Sequence, residues 1–116
     1  MNRLITGLIA AALGSACAST GPIPTERLAA SEASYRGAQE AGAAGAPQAR
    51  LSLKLAEDEI ARAKQLIAEK KNDEAGRILD LAKADAELAV GLAREAHAEA
   101  DAQQALEQIK ALKAAP

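Results

Sequence analysis

The sequence predicts an all-α protein. It reads as a long antiparallel helical hairpin, residues 48–71 paired with residues 72–113, plus a shorter N-terminal helix in an elongated, slim, coiled-coil-like bundle. Three observations carry that prediction. Residues 72–113 contain no proline, and Gly76 and Gly91 are their only glycines. Nearly every other residue there is a good helix former, and a single helix of that span is about 60 Å long. Apolar residues recur at alternating steps of 3 and 4 along both arms of the hairpin, the spacing of a coiled-coil seam. Finally, alanine supplies more than a quarter of the 116 residues, leucine and isoleucine make up most of the apolar remainder, and Tyr35 is the only aromatic. A thick core needs large side chains; alanine instead brings helices to the short end of the roughly 8–10 Å interaxial range. Period-2 runs of valine, threonine and aromatics never appear, which excludes a β architecture.

Residues 1–16 have the layout of a bacterial export signal: Arg3 as the positive region, Leu4 to Leu13 as the apolar region, and small residues around Ala16. That apolar run is well short of the roughly 20 residues that span a bilayer. Leu13-Gly14-Ser15-Ala16-Cys17 resembles the lipobox of bacterial lipoproteins. The resemblance implies cleavage between Ala16 and Cys17 and a diacylglyceryl group on the Cys17 thiol. One departure is that Gly14 stands where leucine usually does, three residues before the cysteine. The alternative is ordinary secretion, with cleavage after Ala18 at the small-x-small site Ala16-Cys17-Ala18. Either route leaves the mature chain with no free thiol and no disulfide. Multiple acyl chains, at about 0.8 kcal/mol per buried methylene, make a stable anchor. The expected location is the cell envelope, on the outer membrane facing the periplasm; the residue after Cys17 is Ala18 and not the aspartate associated with inner-membrane retention.

Residues 17–24 read as the acylated cysteine and a flexible tether, because Pro22 and Pro24 exclude a helix there. The helical domain then occupies residues 25–115. Thr25 is the expected N-cap of a first helix over residues 25–40, with Glu26 favourably placed in its first turn. Leu28, Ser31, Tyr35 and Ala38 lie on one face of that helix. Residues 41–47 (AGAAGAP) break the pattern, and Pro47 suits the first turn of the next helix.

In the second helix the seam is Leu53, Ala56, Ile60, Ala63 and Ile67, widened by Leu55 and Leu66. Asp58 and Arg62 are spaced to pair on its outside. Asn72 is expected to take the left-handed conformation at the turn, and Asn72 or Asp73 to cap the third helix. The short connection makes the two helices antiparallel neighbours. In the third helix the seam is Ala75, Leu79, Ala82, Ala86, Ala89, Ala93, Ala96 and Ala100. Ile78, Leu81, Leu88 and Leu92 form a second flank, and beyond Ala100 the apolar positions become Ala105, Leu106, Ile109 and Leu112. The second helix is about 36 Å long, so the third overhangs it by roughly 25 Å. The first helix either stacks on the second and covers the overhang, or folds back onto the 78–92 flank and leaves the overhang bare.

Residues 48–93 resemble a family of short alanine-rich helical domains of unknown function in Gram-negative envelope lipoproteins, found alone or ahead of an OmpA-like domain. The residues that carry this are Leu53-x-x-Ala56-x-x-x-Ile60-x-x-Ala63, a charged turn, then Ala75-x-x-x-Leu79-x-x-Ala82-x-x-x-Ala86-x-x-Ala89. The resemblance implies an envelope location and a helical shape. It supplies no catalytic residues, and peptidoglycan binding is not carried over.

The formal net charge is -2 with cations and acids interspersed, which is not a nucleic-acid footprint. His97 is the only histidine; with Asp101 on the same helix face it makes an incomplete metal site, since structural metals take about four ligands. No nucleophile–histidine set and no phosphate loop occur, so neither catalysis nor a cofactor or small-molecule substrate is expected. The expected role is a non-catalytic spacer or protein-interaction module, with Leu81, Leu88, Leu92, Leu106, Ile109 and Leu112 as the candidate partner surface. A self-associating, envelope-bracing coiled coil is the alternative reading, and a carrier or chaperone for apolar ligands is a further one. The partners expected are the membrane, through lipid on Cys17, and an envelope protein or a second copy.

Overall fold

Helix α3 (Asn72–Ala114) is the longest element and the one both others pack on. It follows α1 (Thr25–Glu40) and α2 (Arg50–Ala68) in chain order. The structure is a computed structural model that describes residues 21–116; the export signal, the lipobox and Cys17 lie outside them. Among the described residues there is no strand.

The seams fall where the 3-and-4 spacing puts them as far as Ala93. The expected seam positions beyond it do not hold, Ala96 being half-buried and Ala100 exposed, because α1 and α2 no longer face them. Ala75, Leu79, Ala82, Ala86, Ala89 and Ala93 of α3 are completely buried, facing Leu53, Ala56, Ile60, Ala63 and Leu66 of α2. From α1, Ser31 and Ala38 are buried, with Leu28 packed into one end of the core and Tyr35 into the other. Leu28 belongs to the cluster around Leu79, near the start of α3. Ala38 belongs to the cluster with Ala89 and Ala93, well along it. The first helix therefore runs parallel to α3 and antiparallel to α2. It folds back on the bundle and does not stack on the end of α2. Gly76 serves that approach: a Cβ there would lie 2.8 Å from the Arg27 guanidinium, and Arg27 reaches Asp80 at 3.2 Å.

Both connections are Schellman turns, in which two N–H groups past the helix end close back on its last carbonyls around one left-handed residue. After α1, Ala43 N–H donates to Ala38 C=O (3.1 Å) and Gly42 N–H to Gln39 C=O (3.0 Å), with Gly42 at φ 80°. After α2, Lys71 N–H donates to Leu66 C=O (2.8 Å) and Lys70 N–H to Ile67 C=O (3.0 Å). The left-handed residue there is Lys70, at φ 61°, not Asn72. Asn72 is already the first residue of α3, and it caps nothing: its amide Nδ2 donates to Gly21 C=O at 2.6 Å. The tether side is thereby tied to the start of α3.

Other expectations are corrected in the same way. Thr25 is not a cap either; its hydroxyl donates back to Ile23 C=O at 3.2 Å, and α1 has no side-chain cap bond. Pro47 does stand in the entry turn of α2, where Ala46 C=O accepts from Ala49 and Arg50 N–H. The regular helix is shorter than residues 48–71 at both ends. Leu66 is buried while Ile67 is half-buried, and Leu55 points outward. Asp58 pairs with Lys54 at 2.9 Å, while Arg62 crosses to Glu74 at 3.6 Å.

Leu79 is the largest fully buried side chain. Leu79→Ala is expected to destabilise the bundle by about 2–5 kcal/mol, read as a lowered midpoint in urea unfolding. At the turn, Lys70→Gly removes the cost of a left-handed non-glycine residue and is expected to raise stability by about 1 kcal/mol in the same assay.

Candidate functional site

The large apolar side chains left in solvent form the candidate contact surface. Among the six candidate contact residues, Leu81, Leu88, Leu106, Ile109 and Leu112 are all exposed. Leu92 is different: it is half-buried against the core cluster around Ala89 and Ala93. Three further residues join the exposed set, Ile23 ahead of α1 and Leu51 and Leu55 of α2. Leu55 was legible only as a wide seam position. Leu51 shows no sign in the periodicity, since it sits four residues before Leu55 on a face that α3 does not reach.

Those on α2 and α3 form two connected regions. The first is an edge of the hairpin. Glu59 lies against Asp85 across the α2–α3 contact. One turn further in the shared direction brings Leu55 and Leu88 level, because the helices are antiparallel. The second region is the end of α3. Every residue from His97 to Pro116 is exposed, so about 27 Å of helix stands clear of the bundle. Its apolar stripe does not continue the buried seam. On the spacing of Ala75 to Ala100, the next positions are Gln103, Glu107 and Lys110. The apolar residues Ala98, Ala102, Ala105, Ile109 and Leu112 each fall two residues later than a seam position. Two residues turn an α-helix by about 200°, so the stripe faces nearly away from the seam.

The loop between α1 and α2 marks where the bundle ends. Ala43, Ala46 and Ala49 are buried against Ala89 and Ala93. His97 closes that end: its Nε2 donates to Ala41 C=O at 3.2 Å, beside the last carbonyls of α1 where a histidine is favourable. A Cβ on Gly42 would come within 2.9 Å of the same nitrogen. His97 is thus a brace for the α1–α2 loop more than a free surface residue. Among the described residues no group of three or more His, Cys, Asp or Glu side chains is gathered as for a metal ion.

Charges on the bundle are mostly paired. Lys64 reaches Glu32 at 2.7 Å between α2 and α1, at the rim of a shallow groove of about 410 Å³ that also includes Tyr35 and Ile60. This groove lies between α1 and α2, away from the Leu81–Leu88 edge that an apolar-ligand carrier was expected to use. Lys54 is held protonated far into the alkaline range by hydrogen bonds to Asp58 and Glu57. Glu59 stands apart in being held against another carboxylate. Burial, then the Asp85 charge and hydrogen bond, push its carboxyl above the ordinary carboxylate value, and its Oε2 is buried with no hydrogen-bond partner.

The family model for a domain of unknown function (DUF4398) matches residues 26–113, which takes in all three helices. Neither a curated protein nor a solved structure matches the chain.

The raised Glu59 carboxyl fixes the sign of a pH effect. A folded-state value above the unfolded one means that the native state holds the proton more tightly. Stability contributed by protonated Glu59 is present below the ordinary value of 4.5 and is lost as pH rises through the folded one. Glu59→Gln is expected to raise the thermal midpoint near neutral pH. It should also flatten the rise in stability on acidification towards pH 4.5, measured by thermal melts across that range.

Proposed function

The chain belongs to the DUF4398 family, a domain of unknown function, and we propose that it is a non-catalytic bacterial lipoprotein of the cell envelope. In this reading it is held on the outer membrane by lipid on Cys17 and projects a helical interaction module into the periplasm. The observation that carries the reading is the export signal ending in the lipobox-like Leu13-Gly14-Ser15-Ala16-Cys17, followed by a short tether and a slim bundle.

Several features support it. No helix among the described residues is long and apolar enough to cross a membrane, so attachment falls to the N-terminal segment. Asn72 fastens Gly21 to the start of α3, which supports a reading in which the α2–α3 turn is the membrane-proximal end of the module. The long helix α3 runs away from that turn, and its uncovered end is the part farthest from the tether. A spacer that carries contact residues at its distal tip has that layout. The apolar side chains at the tip, Leu106 at 57%, Ile109 at 47% and Leu112 at 76% exposure, are available to a partner protein.

Membrane fractionation tests the reading. The wild-type chain is expected in the membrane fraction and Cys17→Ala in the soluble periplasmic fraction. Unchanged fractionation on Cys17→Ala, or labelled fatty acid absent from the wild-type protein, overturns the lipoprotein assignment.

A further inference from the structure

We propose that the uncovered end of α3 docks antiparallel on the same segment of a second copy of this chain. Ala102 would stand opposite the second copy's Leu112, and Ala105 opposite the second copy's Ile109. The proposal deepens the interaction-module reading by naming the partner. It rests on the bare helix and not on lipidation, so soluble Cys17→Ala protein is expected to self-associate in the same way.

The first argument is size. The stripe Ala98, Ala102, Ala105, Ile109 and Leu112 steps by 4, 3, 4 and 3, a coiled-coil seam with Leu106 beside it. It is small at one end and large at the other. Antiparallel pairing sets alanine against leucine or isoleucine in every one of the layers just named. Parallel pairing instead stacks alanine on alanine and leucine on leucine, leaving one end loose and the other crowded.

Charge is the second argument, and it selects the same orientation. Along the bare segment the acids Glu99 and Asp101 lie towards the bundle and the cations Lys110 and Lys113 towards the end, with Glu107 between them on the face away from the stripe. Each ion pair among the described residues lies at or before Glu87, so these distal charges are unspent within the chain. In the antiparallel register Glu99 neighbours the second copy's Lys113, and the two-fold axis passes Leu106 against its own copy. A parallel pair holds Glu99 about 21 Å from the second copy's Lys113 and forfeits that contact. Antiparallel helix dipoles are favourable as well.

Geometry permits the arrangement. The stripe faces nearly opposite to the α1–α2 loop that ends the bundle, so an incoming helix meets no loop. The four layers span only about 15 Å of helix. Such an interface is smaller than the roughly 1,200–2,000 Å² of stable complexes, and the association is accordingly weak and concentration-dependent.

A zero-length carbodiimide coupler, which joins a lysine amine to a carboxylate in direct contact, tests this on the full chain. Along one α3, Glu99 and Lys113 are about 21 Å apart, so an amide between them arises only between two molecules. The expected result is a covalent dimer on a denaturing gel, containing a Glu99–Lys113 crosslinked peptide, with a yield that rises with concentration. Glu99→Lys is expected to lower the yield several-fold, and adding Lys113→Glu to restore it. Both positions lie clear of the bundle, so the fold is untouched, which the circular dichroism spectrum checks. A chain that stays monomeric at every concentration overturns the proposal. So do dimers whose links join Glu107 to the second copy's Lys113 without Glu99, or α3 links that join only a different protein.

Discussion

The close approach of three helices at an alanine seam is the constraint on which the rest of this structure depends. Ala82, Ala86, Ala89 and Ala93 have no solvent exposure at all, yet each offers only a methyl group to the core. No single contact is large, so stability is spread along the seam and depends on how near the helices come. Ser31 fits the same logic: a small residue at the contact, its hydroxyl satisfied within α1 by Leu28 C=O at 2.9 Å. Leu79 is the one bulky side chain fully enclosed. A seam of this kind has no depth for a pocket. The spaces among the described residues are surface grooves, one between α1 and α2 bounded by charged residues and another where residues 22–24 meet the start of α3.

The same constraint sets the outline of the molecule. The seam runs as long as α1 and α2 are there to supply the facing side, and it stops where their connection crosses at Ala43, Ala46 and Ala49. Beyond that point α3 continues for another 18 residues or so, to Ala114. Beyond the crossing the apolar residues lie about half a turn from the seam, on the line that Leu81 and Leu88 already hold along the bundle. That line is the one apolar face the bare end of α3 retains once its partners stop.

Much of this was legible in the sequence because spacing alone decides it. The limits of α1, the seam of α3 as far as Ala93 and the overhang followed from 3-and-4 periodicity and from counting residues per turn. What spacing does not decide is which residues make the turns. Lys70 takes the left-handed position beside an asparagine because the Schellman hydrogen bonds to Leu66 and Ile67 fix where α2 ends. Asn72 is then left to reach Gly21, 51 residues away in the chain. Arg62 likewise takes Glu74 over a local partner, since tertiary proximity replaces an i,i+4 pair. At the candidate surface the spacing located five of the exposed residues. It placed Leu92 there wrongly, because whether α3's flank is covered depends on the path of the loop above it. The fold-back of α1 was one of two arrangements of equal length, and the buried contact of Ala38 with Ala89 and Ala93 decides between them.

The two halves of α3 should therefore differ sharply in how tightly their backbone hydrogen bonds are held. Amide hydrogen exchange along the full chain, at a dilution where molecules do not meet, measures this directly. Slow exchange across Ala75 to Ala93, close to the global unfolding limit, with fast exchange from about His97 to Ala114, is the result this account predicts. Protection that continues undiminished through Lys113 in the dilute monomer would contradict it.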